Sequence, residues 1–270
     1  MAINDISLTT GMRNNLLSLQ STNTLINRTQ DRLATGKKVN TALDNPTNFF
    51  AAQGHTSRAA DLSVRKDGMA EAVQLVKAAD NGIKGITALI ESAKGVAGAA
   101  LATASTTDRD NYTATFNTLM TQINQLASDS GYRGTNLLTD GELTVEFGQT
   151  TGASTLGING FDATASGLGI EATALDSNAN IASASSQLEA ALETLRSESS
   201  KLSANLSVVT TRQDFTNSMI NTLTVGADNL TLADTNEEGA NMLMLQTRQN
   251  LGITSLSMAS QAAQAVLRLF

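Results

Sequence analysis

Apolar residues recur along this chain in alternating steps of four and three, the rhythm of a helix buried along one stripe. The first stripe runs through Met12, Leu16, Leu19, Asn23, Ile26, Gln30 and Leu33. Asn23 and Gln30 are polar seam positions of the kind that trade stability for register in coiled coils. Thr35-Gly36-Lys37-Lys38 reads as a helix end, with glycine past the last turn and lysines facing the carbonyl dipole. Asp44-Asn45-Pro46 starts another helix, because asparagine caps and proline suits the first helical position. Beyond Phe49 and Phe50 a long stripe follows: Met69, Val73, Val76, Asp80, Ile83, Thr87, Ile90, Lys94, Ala97 and Leu101. It fades in the polar stretch Ser105 to Asp110 and resumes as Tyr112, Phe116, Leu119, Ile123 and Leu126. The short connection predicts that these two helices lie antiparallel.

From Tyr132 to about Asn180 the character changes. Glycine, serine and threonine dominate, and Leu143-Thr144-Val145-Glu146-Phe147 alternates with period two, which predicts hairpins and loops. Helix resumes near Ile181. Leu188, Leu192, Leu195, Ser199, Leu202, Leu206, Val209, Gln213, Thr216, Ile220, Leu223, Ala227 and Leu230 keep the four-three steps over a length more usual in coiled coils than in globular helices. A polar break is expected from Asp234 to Gly239. The last helix carries two adjoining seams, one through Leu251, Ser255, Met258, Ala262, Ala265 and Leu269, the other through Leu256, Ala259, Ala263, Val266 and Phe270. So broad a stripe calls for more than one neighbour.

The pattern predicts a mainly α fold. Its terminal segments form a long antiparallel helical bundle or coiled coil, and a small β-hairpin and loop region sits in the middle. Residues 1–43 and 230–270 form a terminal coiled-coil domain in this reading. Residues 44–229 form an inner, rod-like helical domain that includes the hairpin and loop region 132–180. Charge follows the same division: +3 in 1–43, −1 in 230–270 and −9 between them. The acidic middle therefore reads as a solubilising outer surface. A single proline in 270 residues removes the commonest helix breaker. Two terminal helices without a large core of their own should be marginal alone and gain order from partners.

Composition closes off most chemistry. There is no cysteine, so disulfides, thiolate metal sites and cysteine nucleophiles are absent. His55 is the single histidine, which leaves His55 with Asp61 as the best pair a catalytic reading could offer. A histidine beside Arg58 on an alanine-rich helix is more often structural. The glycines of the middle segment lack phosphate-loop spacing. The net charge of −7 argues against nucleic acid. No apolar run is long enough to cross a membrane, and Met1-Ala2-Ile3-Asn4-Asp5 lacks the pattern of a cleavable secretory signal. No enzyme, metal or cofactor is expected.

Three segments carry a family resemblance. Arg32-Leu33-Ala34-Thr35-Gly36-Lys37-Lys38-Val39-Asn40-Thr41-Ala42-Leu43-Asp44-Asn45 is similar to the R-L-S-S-G-x-x-I-N-S-A-x-D-D segment of bacterial flagellins. Gln246 to Phe270 aligns with the family's closing pattern, with Gln249, Gly252, Leu256, Ala259, Gln261, Gln264, Val266, Leu267 and Leu269 on matching positions. Gly131-Tyr132-Arg133-Gly134-Thr135-Asn136-Leu137-Leu138 is similar to the turn after the family's second inner helix. Pro46-Thr47-Asn48-Phe49-Phe50-Ala51 resembles the alphaproteobacterial branch.

The resemblance implies a structural subunit, without catalysis, that assembles into the bacterial flagellar filament for swimming motility. It implies an extracellular location in the flagellum, reached by type III export without a cleavable signal. The implied partners are the chain itself as a helical homopolymer, an export chaperone, the filament cap and hook–filament junction proteins, with no nucleic acid and no membrane insertion. Filament-core packing is expected from Leu16, Leu19, Ile26, Leu33, Leu251, Leu256, Met258, Ala259, Ala263, Val266, Leu269 and Phe270. The inner-domain seam is expected from Val73, Val76, Ile83, Ile90, Phe116, Leu119, Ile123, Leu188, Leu192, Leu195, Leu202, Leu206, Val209, Ile220 and Leu223. Loop hydroxyls such as Thr150, Thr151 and Ser154 are of the type that carries O-glycans in this family, and nothing selects among them. A hook–filament junction protein shares the terminal plan and stands as the alternative reading.

Overall fold

The computed structural model describes residues 10–148, 152, 154–171 and 173–267, and of Val266 and Leu267 the backbone alone. The elements follow in the order α1 (Thr10–Thr35), α2 (Pro46–Ala102), α3 (Thr106–Asp129), β1 (Glu142–Glu146), β2 (Thr155–Asn159), α4 (Asn178–Thr231) and α5 (Thr235–Leu267). The fold is mainly α with one small central hairpin, as the periodicity predicts. α2 and α4 contain 57 and 54 residues, lengths that a chain without interior prolines can sustain. β1 and β2 pair antiparallel, from Glu142 opposite Asn159 to Glu146 opposite Thr155. The chain groups into two compact units, Met1–Ser57 with Leu223–Phe270, and Arg58–Thr222.

Helix ends are set by side-chain oxygens. Gly36 takes a φ of 68° just past α1, a left-handed conformation that glycine reaches without steric cost. Pro46 opens α2, and the Asn45 side-chain oxygen accepts from the Asn48 N–H at 3.1 Å. Three helices begin earlier than their hydrophobic patterns suggest. Ser105 caps α3 by accepting from the Asp108 N–H at 3.3 Å, and Ser177 caps α4 by accepting from the Asn180 N–H at 3.2 Å. Asp234 accepts from the N–H groups of Asn236 and Glu237 at 2.8 and 3.3 Å. The expected breaks at 105–110 and 234–239 are therefore mostly caps and first turns. Asp108, Glu237 and Glu238 sit there because acids favour the positive end of a helix.

The core of Arg58–Thr222 corrects half of the expected α2 seam. Buried positions step through Met69, Ala72, Val76, Ala79, Ile83, Ile86, Ile90, Ala93, Ala97 and Ala100. Met69, Val76, Ile83, Ile90 and Ala97 belong to both seams. The other half runs through alanines and Ile86; Val73 is half-buried against that core, whereas Asp80, Thr87, Lys94 and Leu101 are not part of it. Leu101 is 53% exposed, and Lys94 pairs with Glu189 at 2.7 Å. On α3 the buried residues are Phe116, Met120, Ile123 and Ala127, while Tyr112, Leu119 and Leu126 flank them half-buried.

Three contacts hold the inner unit's ends. Gly82 lies where an added Cβ would come within 2.5 Å of Leu138 Cδ1, so glycine lets the chain after α3 rest directly on α2. The Asn136 amide donates to the carbonyls of Ala127 and Ser128 at 2.7 and 3.0 Å, closing the C-terminal end of α3. Arg109 donates to the carbonyls of Ala100, Thr103 and Asp176 and to the Asn178 side chain at 3.2, 3.0, 2.8 and 2.7 Å. One guanidinium thus ties the end of α2 to the start of α4. The hairpin is fastened by an ion pair between Arg65 and Glu146 and by Arg212, which stacks 5.3 Å from the Phe147 ring centre.

Candidate functional site

α1 and α5 pack antiparallel within the first unit. The Asn15 amide donates to Ser255 Oγ at 3.2 Å, Leu19 lies against Gly252, and Arg32 donates to Glu238 at 2.6 Å. Along α5, Glu238, Met242, Leu245, Gln249, Gly252, Leu256, Ala259 and Ala263 are buried or half-buried in steps of four and three, with Asn241, Ser255 and Ser260 half-buried beside them. A Cβ at position 252 would stand 2.7 Å from Leu19 Cδ2, so glycine admits the leucine side chain without displacing it. Glu238 is buried to 7% exposure, and its partner there is the Arg32 guanidinium.

The α1 seam is shifted by half from its expected course. Met12, Thr22, Ile26 and Thr29 are buried, and Asn15, Leu19 and Leu33 are half-buried. Leu16, Asn23 and Gln30, expected on the seam, are exposed. Threonine serves at the buried positions because its hydroxyl can return to the helix: Thr22 Oγ1 donates to the Ser18 carbonyl at 2.9 Å. The polar residues on the observed seam are thus Asn15, Thr22 and Thr29, of which Asn15 bonds across to α5.

This pairing leaves an apolar face uncovered. Met244, Leu251 and Met258 repeat every seven residues along α5 and are 52, 66 and 60% exposed. On α1, Leu16, Leu17 and Leu25 are 38, 58 and 40% exposed, spread over about half the helix circumference and not along one line. These exposed apolar side chains are the candidate interaction residues of this unit.

A tight loop joins the pair to α2. The Lys38 and Val39 N–H groups donate to the Thr231 carbonyl at 2.7 and 3.2 Å, and the Ala233 N–H donates to the Gly36 carbonyl at 2.9 Å. Asp44 Oδ2 accepts from the N–H groups of Thr41 and Asn40 at 2.9 and 3.1 Å and from Thr41 Oγ1 at 3.1 Å. These donors, the Thr41 N–H first, hold the Asp44 carboxyl below the usual carboxylate range.

A model of the bacterial flagellin N-terminal helical region matches residues 6–142, just over half of the chain. The chain belongs to the bacterial flagellins. Flagellin FljM of Caulobacter vibrioides is 29% identical over 272 residues, covering all of both chains. The flagellin of Brucella melitensis biotype 1 is 27% identical over 94% of this chain and 95% of its own. A crystal structure of Bacillus cereus flagellin matches 55% of this chain and 88% of that one, with 17% identity and a TM-score of 0.48. Relatives of full length place this flagellin with those of alphaproteobacteria. It is a structural, non-enzymatic protein, the subunit of a flagellar filament.

The remaining flagellin residues singled out in the sequence fall as follows. Val76, Ile83, Ile90, Phe116, Ile123, Leu188, Leu192, Leu195, Leu202, Val209 and Leu223 are buried, and Val73, Leu119, Leu206 and Ile220 are half-buried. Leu223 belongs to the terminal unit and the others to the inner one. Ile26 is buried and Leu19, Leu33, Leu256, Ala259 and Ala263 are half-buried, while Leu16, Leu251 and Met258 are exposed. Leu269, Phe270, Thr150, Thr151 and the Val266 side chain lie outside the described residues. His55 and Asp61 are six positions apart on α2, about 120° around the helix. Among the described residues no group of three metal-ligating side chains occurs, and no helix is long and apolar enough to cross a membrane. Sequence reasoning missed Thr22, Thr29 and Arg109. The threonines repeat at seven-residue spacing beside the chosen stripe, a signal that was legible; Arg109 left none.

Proposed function

We propose that the face of α1 and α5 left outside their mutual seam is the surface through which subunits join at the centre of the filament. The observation that supports it is the line Met244, Leu251 and Met258, with Leu16, Leu17 and Leu25 on the paired helix. Burying these side chains removes apolar surface from water at no cost to the α1–α5 seam, which uses other residues. A contact of this kind between unlike faces of successive copies does not close, so it propagates as a helix. Leu269 continues the line of Met244, Leu251 and Met258 in the sequence, and Val266 and Phe270 continue the seam of Leu256, Ala259 and Ala263. Residues 1–43 and 230–270 then form the filament core and 44–229 the surrounding rod. The same reading takes the subunit to the cell exterior by type III export, with an export chaperone, the filament cap and hook–filament junction proteins as its partners.

Leu251→Asp tests the surface. The carboxylate is solvated in the free subunit and would be desolvated in the filament, at a cost of several kcal/mol, about the penalty of an unpaired buried charge. Expected are normal expression, an unchanged far-ultraviolet spectrum and no growth from filament seeds. Filaments of normal length would show that this face remains in water.

A further inference from the structure

The chain contains no cysteine and no tryptophan, so the methionine thioethers are its softest oxidisable groups. Their settings differ sharply. Met69 and Met120 are 0 and 4% exposed in the inner core, while Met244 and Met258 are 52 and 60% exposed. Those two stand fourteen positions apart on α5 with Leu251 midway between them, so two of the three large side chains in the uncovered line are oxidisable. We propose that Met244 and Met258 form a peroxide-sensitive modification site of the free subunit, and that their oxidation blocks subunit addition.

The chemistry is an oxygen transfer. The thioether sulfur attacks one oxygen of a hydroperoxide, the O–O bond breaks, and a sulfoxide and water (or an alcohol) are the products. Sulfur loses two electrons and the peroxide gains them. A sulfoxide oxygen is a strong hydrogen-bond acceptor, and it replaces a flexible apolar contact with a polar, chiral group that prefers water. In the free subunit that group is solvated and the inner fold is untouched. At a dry subunit contact it would have to be desolvated without a donor. Thiol-dependent sulfoxide reductases would reverse the change, returning the oxygen as water while two thiols become a disulfide. The proposal rests on the assembly surface described above.

The test uses full-length subunits, dissociated and exposed to dilute hydrogen peroxide, then divided between peptide mass mapping and seeded growth. Sulfoxide should form at Met244 and Met258 on the order of ten-fold faster than at Met69 and Met120, in keeping with their exposure. Equal rates at the four positions would overturn the proposal. Oxidised subunits should fail to add to seeds, and the paired reductases with a dithiol should restore growth. In a Met244→Leu, Met258→Leu subunit, whatever its untreated rate, seeded growth after peroxide should match growth before it, and a loss as large as that of the wild type would overturn the proposal. Oxidised wild-type subunits that grow normally would sink the switch and leave self-assembly standing. Untreated wild-type subunits that never grow on seeds would overturn both.

Discussion

Asp44 closes the turn between α1 and α2 by placing one carboxylate oxygen on two backbone N–H groups and a hydroxyl. Those bonds favour the ionised form, so the folded carboxyl titrates lower than the unfolded one. The stabilisation is complete above the unfolded value and is lost as pH falls through the lowered folded value. We therefore expect the exchange protection of the Asn40 and Thr41 amides to be constant near neutrality and to collapse in the acid range. Asp44→Asn should abolish that step, and a wild-type protection factor that ignores acid would refute the assignment. The seam teaches a different lesson about single residues. Every seventh residue on α1 and α2 was legible, because Met12, Leu19, Ile26 and Leu33 on α1, like Met69, Val76, Ile83 and Ile90 on α2, are large and apolar. The intervening positions were not. Thr22, Thr29, Ala72, Ala79 and Ala93 are buried while larger Val73, Leu16 and Leu101 are not. Hydrophobicity ranks a side chain by its size, whereas burial depends on which neighbour lies over it.

At the level of the element, helices were legible and their first turns were not. A serine or aspartate before a helix is equally a breaker and a cap, and only the N–H groups pointing at it decide. Ser105, Ser177 and Asp234 are all caps, so α3, α4 and α5 reach further toward their N-terminal ends than their apolar stripes do. Packing of α1 on α5 turns on Gly252, whose missing Cβ admits Leu19. Glycine in a helix ordinarily costs stability, roughly 1 kcal/mol relative to alanine; here it makes room for a neighbour. Gly252→Val should destabilise the pair by about 1–3 kcal/mol, the usual penalty for overpacking a close contact. Assembled filaments of the variant should melt at a lower temperature and require more free subunit to persist. An unchanged melting temperature would mean that the helices can separate without loss.

The whole subunit divides into a unit with a continuous core and a unit built around one helix pair. In Arg58–Thr222 the buried cluster extends from Met69 on α2 through Phe116 on α3, Ile158 on β2 and Leu188 on α4. In the terminal unit, α1 and α5 bury few large side chains and leave many outside, which makes them the less stable part. Limited proteolysis of free subunits should remove the two ends first and leave a fragment spanning Arg58–Thr222, and assembly should protect the ends. Equal protection before and after assembly would contradict this. The amino-acid sequence by itself determined the mainly α class, the central hairpin, the terminal helix pair and the absence of thiol chemistry, because periodicity and composition are properties of the chain alone. Its flagellin segments determined the family. Tertiary structure alone decided which half of each seam is buried, that Arg109 joins three segments, and that Met244, Leu251 and Met258 remain in water. Each of these depends on what a side chain meets across space, and a stripe of residues does not record its neighbour.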